Sequence, residues 1–298
     1  MLSKTVLILK NNKKKLFLAV FIVAAMTFAM VRSAYYVDAR VDAYFDKNNG
    51  GLDGYLDSLI DKSTDSKELD IGFVTDIHAG SLPTKEKGSG TITPDNFEKN
   101  LALAFKNIND ADYVIALGDN IDQRQDCQTY ADRLKEITKG YNMIWVKGNH
   151  DKDACFPYLS SKPAYYYIDD GTWRIIIVNN SYWYSKDQRN HGKDNIGFIE
   201  QPQLDWLKNA LDTDKKVLVA MHVPMFNDNG DGKEFTLRKD YVDFKKMLEK
   251  NGNVRYVFSG HYHNDNWHLE ENGINYYILP SLEQQGHEGY SMVLKLTK

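Results

Sequence analysis

Cysteine is nearly absent from this chain: only Cys127 and Cys155 occur in 298 residues, and neither belongs to a Cys-x-x-Cys pair. That excludes a thiolate zinc knuckle and a dithiol redox motif. What remains is one bridge between the two, which a setting outside the cytoplasm would favour, or two free thiols. An excess of charge of one sign is also missing. Lys and Arg number 37 against 41 Asp and Glu, and the net charge of −4 gives no electrostatic case for a general nucleic-acid binder. The sequence has no internal repeats and no low-complexity tracts. With 42% hydrophobic residues it can fill a sizeable core, and 298 residues leave room for one large or two small domains.

The amino end departs from this average. Leu16 to Val31 is sixteen residues without a charge, preceded by Lys10, Lys13, Lys14 and Lys15 and followed by Arg32. A buried core helix would carry a polar stripe, and this run has none. It is slightly long for the apolar part of a signal peptide and slightly short for a span. Flanking Lys and Arg can snorkel, and no Ala-x-Ala cleavage site follows, which favours a span. The expected order is a basic cytoplasmic tail (1–15), a transmembrane signal anchor (16–32), a juxtamembrane spacer (33–68) and a catalytic domain (69–298) outside the cytoplasm. A cleaved signal peptide and a secreted domain form the alternative. Within the spacer, Leu52, Tyr55, Leu56, Leu59 and Ile60 fall at helical spacing and predict one short amphipathic helix.

From Leu69 onward, short strands alternate with helices. Ile71 to Thr75 reads as a buried strand. Thr93-Pro94-Asp95 opens a helix striped by Phe97, Leu101, Phe105 and Ile108. A strand over Tyr113 to Leu117, a helix near Thr129 to Thr138 and a strand from Met143 to Val146 follow, a pattern of parallel crossovers. Asp169-Asp170-Gly171-Thr172 then marks a hairpin between Tyr165–Ile168 and Trp173–Val178. A helix over Gln203 to Leu211, a strand over Lys216 to Met221, a polar loop over Phe226 to Glu234, a helix over Lys239 to Lys250 and a strand over Val254 to Ser259 come next. Three strand-like runs, Asn266–Leu269, Ile274–Leu279 and Ser291–Leu296, suggest an antiparallel finish.

The chemistry-bearing residues stand just after the strands: Asp76-Ile77-His78, Gly118-Asp119, Gly148-Asn149-His150-Asp151, His222 and Gly260-His261-Tyr262-His263. Open α/β sheets build their sites at this edge. Asp76 and His78 can face one ion if the backbone turns between them, and His261 and His263 repeat that spacing. The donors are oxygen and imidazole without thiolate, which suits Mn, Fe, Zn, Ni or Co. Seven donors (Asp76, His78, Asp119, Asn149, His222, His261 and His263) are too many for one ion and fit two that share a bridge. Two ions about 3.5–4 Å apart can hold a hydroxide and polarise a phosphoryl oxygen. His191, His268 and His287 stand outside this pattern. Arg124, Arg189 and His191 are the candidates for contact with substrate.

In these motifs (DxH, GDxxD, GNHD, a lone His and GHxH, in that order over about Leu69 to Tyr290) the chain resembles the calcineurin-like metallophosphoesterase family. The resemblance implies an α/β fold, a four-layer αββα sandwich of two mixed sheets. It implies that Asp76, His78 and His263 hold one di- or trivalent metal ion, that Asn149, His222 and His261 hold the other, and that Asp119 bridges them. His150 would stabilise the transition state or protonate the leaving oxygen, with Asp151 orienting its ring. The activity implied is hydrolysis of small phosphomonoesters or phosphodiesters by in-line attack of metal-activated hydroxide. Two departures narrow it. Asp122 stands where purple acid phosphatases place tyrosine. Gln123 and Asp151 stand where Ser/Thr protein phosphatases carry arginine and glutamate. A nuclease-type phosphodiesterase and a non-catalytic, membrane-anchored scaffold that keeps the metal-site fold are the alternatives.

Overall fold

Alternation along β1 (Glu68–Val74) sets the architecture. Leu69, Ile71 and Phe73 enter one core, while Val74 on the opposite face enters another. The computed structural model describes residues 68–80, 97–122, 126–181, 197–228, 235–237, 241–263, 266–282 and 288–298, all within the unit Lys67–Lys298.

The first sheet has the order β12-β1-β2-β3, with β2 at Tyr113–Ala116, β3 at Met143–Trp145 and β12 at Met292–Thr297. The three strands β1, β2 and β3 are parallel, and β12 is antiparallel to β1. The second sheet contains β4 (Tyr166–Asp170), β5 (Trp173–Ile177), β6 (Lys216–Ala220), β9 (Val254–Ser259), β10 (Trp267–Glu271) and β11 (Ile274–Ile278), in the order β10-β11-β9-β6-β5-β4. Its outermost pairs are antiparallel and its centre is parallel.

Three cores separate the layers. Between the sheets, Leu69, Ile71, Phe73, Ile115 and Ile144 meet Ile175, Ile177, Leu218 and Phe258. Phe73 stacks on Phe258 with ring centroids 4.0 Å apart, joining the central strands of the two sheets. Outside the first sheet lie α1 (Phe97–Ile108), α2 (Cys127–Ile137) and α3 (Phe156–Leu159), sealed by Leu101, Phe105, Leu134 and Trp145. Outside the second lie α4 (Gln201–Leu211) and α5 (Val242–Lys250), sealed by Leu207, Leu211, Phe244 and Leu248. Each such side chain stabilises the fold by about 1.5–3 kcal/mol when fully buried.

Two expectations need correction. The last three strands do not form one antiparallel set. The tight turn at Asn272 and Gly273, both left-handed, makes β10 and β11 a hairpin, but β11 continues parallel to β9. Its alternately buried positions suit an inner strand, whereas β10 is half-exposed and takes the edge. β12 leaves for the first sheet, where Leu296 sits opposite Leu69. The stretch read as a polar loop begins as a strand: β7 (Phe226–Asp228) pairs with β8 (Phe235–Leu237). Cys127 and Cys155 form a disulfide, with Cα atoms 5.5 Å apart. Among the described residues no helix is long and apolar enough to cross a membrane. The expected anchor 16–32, the spacer 33–68 except for its last residue, and the helix start Thr93–Asp95 lie outside the described residues.

Candidate metal centre

At the ends of β1, β2 and β9 the backbone enters a region that L-residues rarely adopt. Seven described non-glycine residues have positive φ, and five of them are site candidates: Asp76 (53°), His78 (49°), Asp119 (51°), His261 (76°) and His263 (58°). Such conformations persist where the surroundings enforce them, and they collect at functional sites. Here the enforcement is hydrogen bonding between neighbouring strand-end loops. The Asp76 N–H donates to Gly118 C=O (3.1 Å), His78 N–H to Asp119 C=O (2.9 Å) and Ala79 N–H to Asn120 C=O (3.0 Å). The left-handed turns at positions i and i+2 bring both side chains of each pair to one centre. Close approach matters as much. A Cβ at Gly148 would overlap the backbone nitrogen and carboxylate of Asp119, and one at Gly260 would overlap Thr75 Oγ1 and Asp76 Oδ2.

The side chains gather into two clusters that share a member. Asp76, His78, Asp119 and His263 place one donor atom each within 4.8 Å of one another, and so do Asp119, His222 and His261. Asn149 joins the second cluster, its Oδ1 lying 3.0 Å from His222 Nε2. Asp119 Oδ2 is 3.2 Å from His222 Nε2 and 3.9 Å from His78 Nε2. Its other oxygen accepts the His150 N–H at 2.7 Å.

Outer contacts fix the orientation of these donors. His222 Nδ1 faces the Leu117 carbonyl at 2.8 Å, which turns Nε2 into the site. Asp76 Oδ2 accepts from Thr75 Oγ1 (2.6 Å) and His261 N–H (2.9 Å). Its buried Oδ1 accepts no well-aligned hydrogen bond and lies 3.0 Å from His263 Nε2. The Asn180 side chain bridges the His222 and Val223 N–H groups and the Val223 carbonyl. The sequence reading passed over Thr75 and Asn180. The polar run Asn179-Asn180-Ser181, one residue beyond β5 at the same sheet edge, is the signal for Asn180.

This donor set fits a pair of metal ions. Burial, reinforced by the neighbouring ring (His263 for His78, His222 for His261), depresses both imidazoles to about 3, so each is neutral and able to ligate at ordinary pH. For Asp76 burial works against the charged form, but the rings of His263 and His222 hold its carboxyl far below the usual range. Burial likewise opposes the charged His222, yet contact with Asp119 raises that ring to about 9. Ligation through His222 therefore displaces a proton below about pH 9, and the apparent affinity for a divalent ion rises with pH up to that point. Titrating the metal-free protein with Mn(II) at pH 7.5 in weak buffer is expected to release protons from His222 and also from His263, whose charged form burial opposes but Asp76 favours, with the release fading above about pH 9. Release that does not change with pH would assign the raised titration elsewhere.

His150 does not enter either ion cluster. Its ring stands edge-on to His78 with centroids 4.7 Å apart, and with His78 and Asp122 it makes a third set of donor atoms within 4.8 Å of one another. Here the structure corrects the sequence reading: the carboxylate facing the His150 ring is Asp122, with Oδ2 3.6 Å from Nδ1. Asp151 is turned away. Its oxygens accept from the N–H groups of Gly148, Asn120 and Ile121 and from the Asn120 amide. It is a buried tie between the loops that follow β2 and β3. Burial opposes a charged His150, but Asp119 and Asp122 outweigh it and raise the ring's pKa.

His268, set aside as a ligand, lies on β10, stacked on Tyr277 and paired with Asn275. The candidates for substrate contact, Arg124, Arg189 and His191, lie outside the described residues.

The calcineurin-like phosphoesterase family model matches residues 69–265. No curated protein matches the chain in sequence. Among solved structures, a dimetal phosphatase from Danio rerio is similar with a TM-score of 0.56 at 15% identity, over 72% of this chain and 88% of that one. A purple acid phosphatase from yellow lupin (Lupinus luteus) seeds gives 0.46 at 14% identity, over 72% and 44%. An NAD nucleotidase from Haemophilus influenzae gives 0.44 at 15% identity, over 77% and 47%. The first shares the fold. The chain spans less than half the length of the other two, and at those scores they add no argument.

Proposed function

Since the chain belongs to the calcineurin-like phosphoesterase family, hydrolases of phosphate esters, we propose that it cleaves small phosphomonoesters or phosphodiesters at a two-metal centre outside the cytoplasm. The observation that carries this reading is Asp119, the one carboxylate common to both donor clusters. Asp76, His78 and His263 would hold one ion, and Asn149, His222 and His261 the other. When bound, such a pair supplies a water of lowered pKa and polarises the phosphoryl oxygens.

The remaining steps belong to the chain. His150 Nδ1 faces Asp122, so Nε2 is left toward the centre, 4.0 Å from Asp119 Oδ2. A proton on Nε2 is then placed to pass to the leaving oxygen, and Asp122 stabilises the ring that carries it. Asp119 and the His150 N–H, joined at 2.7 Å, fix the distance between this acid and the donor clusters. No thiol or hydroxyl of the chain is needed as a nucleophile.

Metal analysis of the purified full chain is expected to give about two ions, with hydrolysis of p-nitrophenyl phosphate or its bis-ester lost on chelation and restored by Mn(II). Fewer than one ion after reconstitution would defeat the catalytic reading. The ratio of the two rates separates monoesterase from diesterase.

The placement outside the cytoplasm is supported by the lysine-flanked run Leu16–Val31 and by the Cys127–Cys155 bridge, since disulfides persist in oxidising compartments. Deleting residues 1–32 is expected to move the protein from a carbonate-washed membrane pellet to the soluble fraction. A full-length chain already soluble at its full mass would dismiss the anchor.

A further inference from the structure

We infer that the Cys127–Cys155 disulfide is a positioning element for the reaction, holding the Asp122 carboxylate against the His150 ring. This rests on the phosphoesterase reading above. Cys155 follows His150 by five positions, and Cys127 follows Asp122 by five. The bridge and the His150–Asp122 pair are therefore two rungs between the same two loops, those that follow β3 and β2. A further rung joins the same two loops next to the pair, where Asp151 accepts the Asn120 and Ile121 N–H groups. On its own loop Asp122 stands between the two cross-links, one hydrogen-bonded and one covalent, and on the facing loop both cross-links follow His150, at Asp151 and Cys155.

The covalent rung is anchored rather than floating. Cys155 is buried, and Cys127 is partly buried against the core cluster that contains Ala131 and Leu134 of α2 and Phe156 and Leu159 of α3. The path from His150 to Cys155 is tightly turned. Asp151 N–H donates to Gly148 C=O, and the Cys155 and Phe156 N–H groups both donate to Lys152 C=O. Most of the donor set does not depend on the bridge. Asp76 and His78 follow β1, His222 follows β6, and His261 and His263 follow β9. Asp119 is held by the β1 loop and by the His150 N–H. Losing the bridge should therefore disturb His150 against Asp122 before it disturbs ion binding, and a misplacement of about 1 Å can cost about 100-fold in rate.

The test compares the wild-type full chain with Cys127→Ser/Cys155→Ser. It uses p-nitrophenyl phosphate, whose leaving group needs little protonation, and phenyl phosphate, whose leaving group needs more. Metal content, circular dichroism at the assay temperature, and kcat and KM are read on the same samples. Without the bridge, kcat on phenyl phosphate is expected to fall about 10- to 100-fold and on p-nitrophenyl phosphate about 3-fold or less. Ion content and KM should not change. In an Asp122→Asn background, removing the bridge should cost little more, because both changes act on one contact.

Equal losses on both esters, lost ions, or full additivity with Asp122→Asn would make the bridge merely structural and overturn the inference. An unchanged kcat on both esters would overturn it too, leaving the phosphoesterase reading intact. A wild-type chain inert toward both esters would overturn the two together. If the serines prevent folding, Cys127→Ala/Cys155→Val keeps the apolar packing and supports the same comparison.

Discussion

Replacing Asp119 by asparagine is expected to lower turnover by about 1,000-fold or more, equivalent to about 4 kcal/mol of transition-state stabilisation, and to leave no more than one ion on the chain. The substitution keeps shape and removes function at one oxygen. Oδ1, which accepts the His150 N–H at 2.7 Å, survives as the amide oxygen. Oδ2, which lies 3.2 Å from His222 Nε2 and 3.9 Å from His78 Nε2, becomes an NH2 group with neither charge nor lone pair. Because both clusters share this atom, neither keeps its full donor set. The fold should persist, since the left-handed backbone at Asp119 also suits asparagine. The check is metal analysis beside steady-state kinetics and circular dichroism. Two ions and undiminished turnover would mean that the bridge is another residue.

His150→Ala is expected to act differently, lowering kcat by about 100- to 10,000-fold on esters of poorly acidic alcohols while both ions stay bound. The difference follows from the geometry: Asn149 belongs to an ion cluster, whereas the His150 ring faces Asp122. Leaving groups that depart as stable anions should lose far less. The acidic form is the active one, so wild-type kcat should fall as pH rises through the His150 pKa. That pKa lies above the ordinary histidine value, because Asp119 and Asp122 outweigh burial. The alkaline fall should therefore lie above about pH 6.5, and the variant should lose it. Comparable losses on all esters, or a pH profile the variant shares, would remove His150 from the role of acid.

Much of the candidate site was legible in the sequence because its code is local. An apolar run of strand length followed at once by Asp-x-His, Gly-Asp, Gly-Asn-His-Asp or Gly-His-x-His needs no long-range knowledge to be read as donors at strand ends. The helices and strands that carry them were legible for the same reason, through periodicities of 3.6 and 2. The parts that misread involve pairing partners. Nothing in Ile274–Ile278 says that its second neighbour is β9, and nothing in Met292–Thr297 says that it belongs beside β1.

By itself, then, the sequence marked the seven candidate donors, their oxygen–imidazole chemistry and the strand–helix alternation that delivers them, because each is set within a few residues. Only the tertiary structure decided which carboxylate serves His150. Asp151 is the neighbour in sequence, but the N–H groups of Gly148, Asn120 and Ile121 occupy its oxygens. Asp122, 28 positions before His150, is carried to the ring because β2 and β3 lie side by side. The same adjacency chose between a bridge and two free thiols. A side chain at a strand end points where the hydrogen bonds of the neighbouring strand's loop allow, and that neighbour exists only after folding.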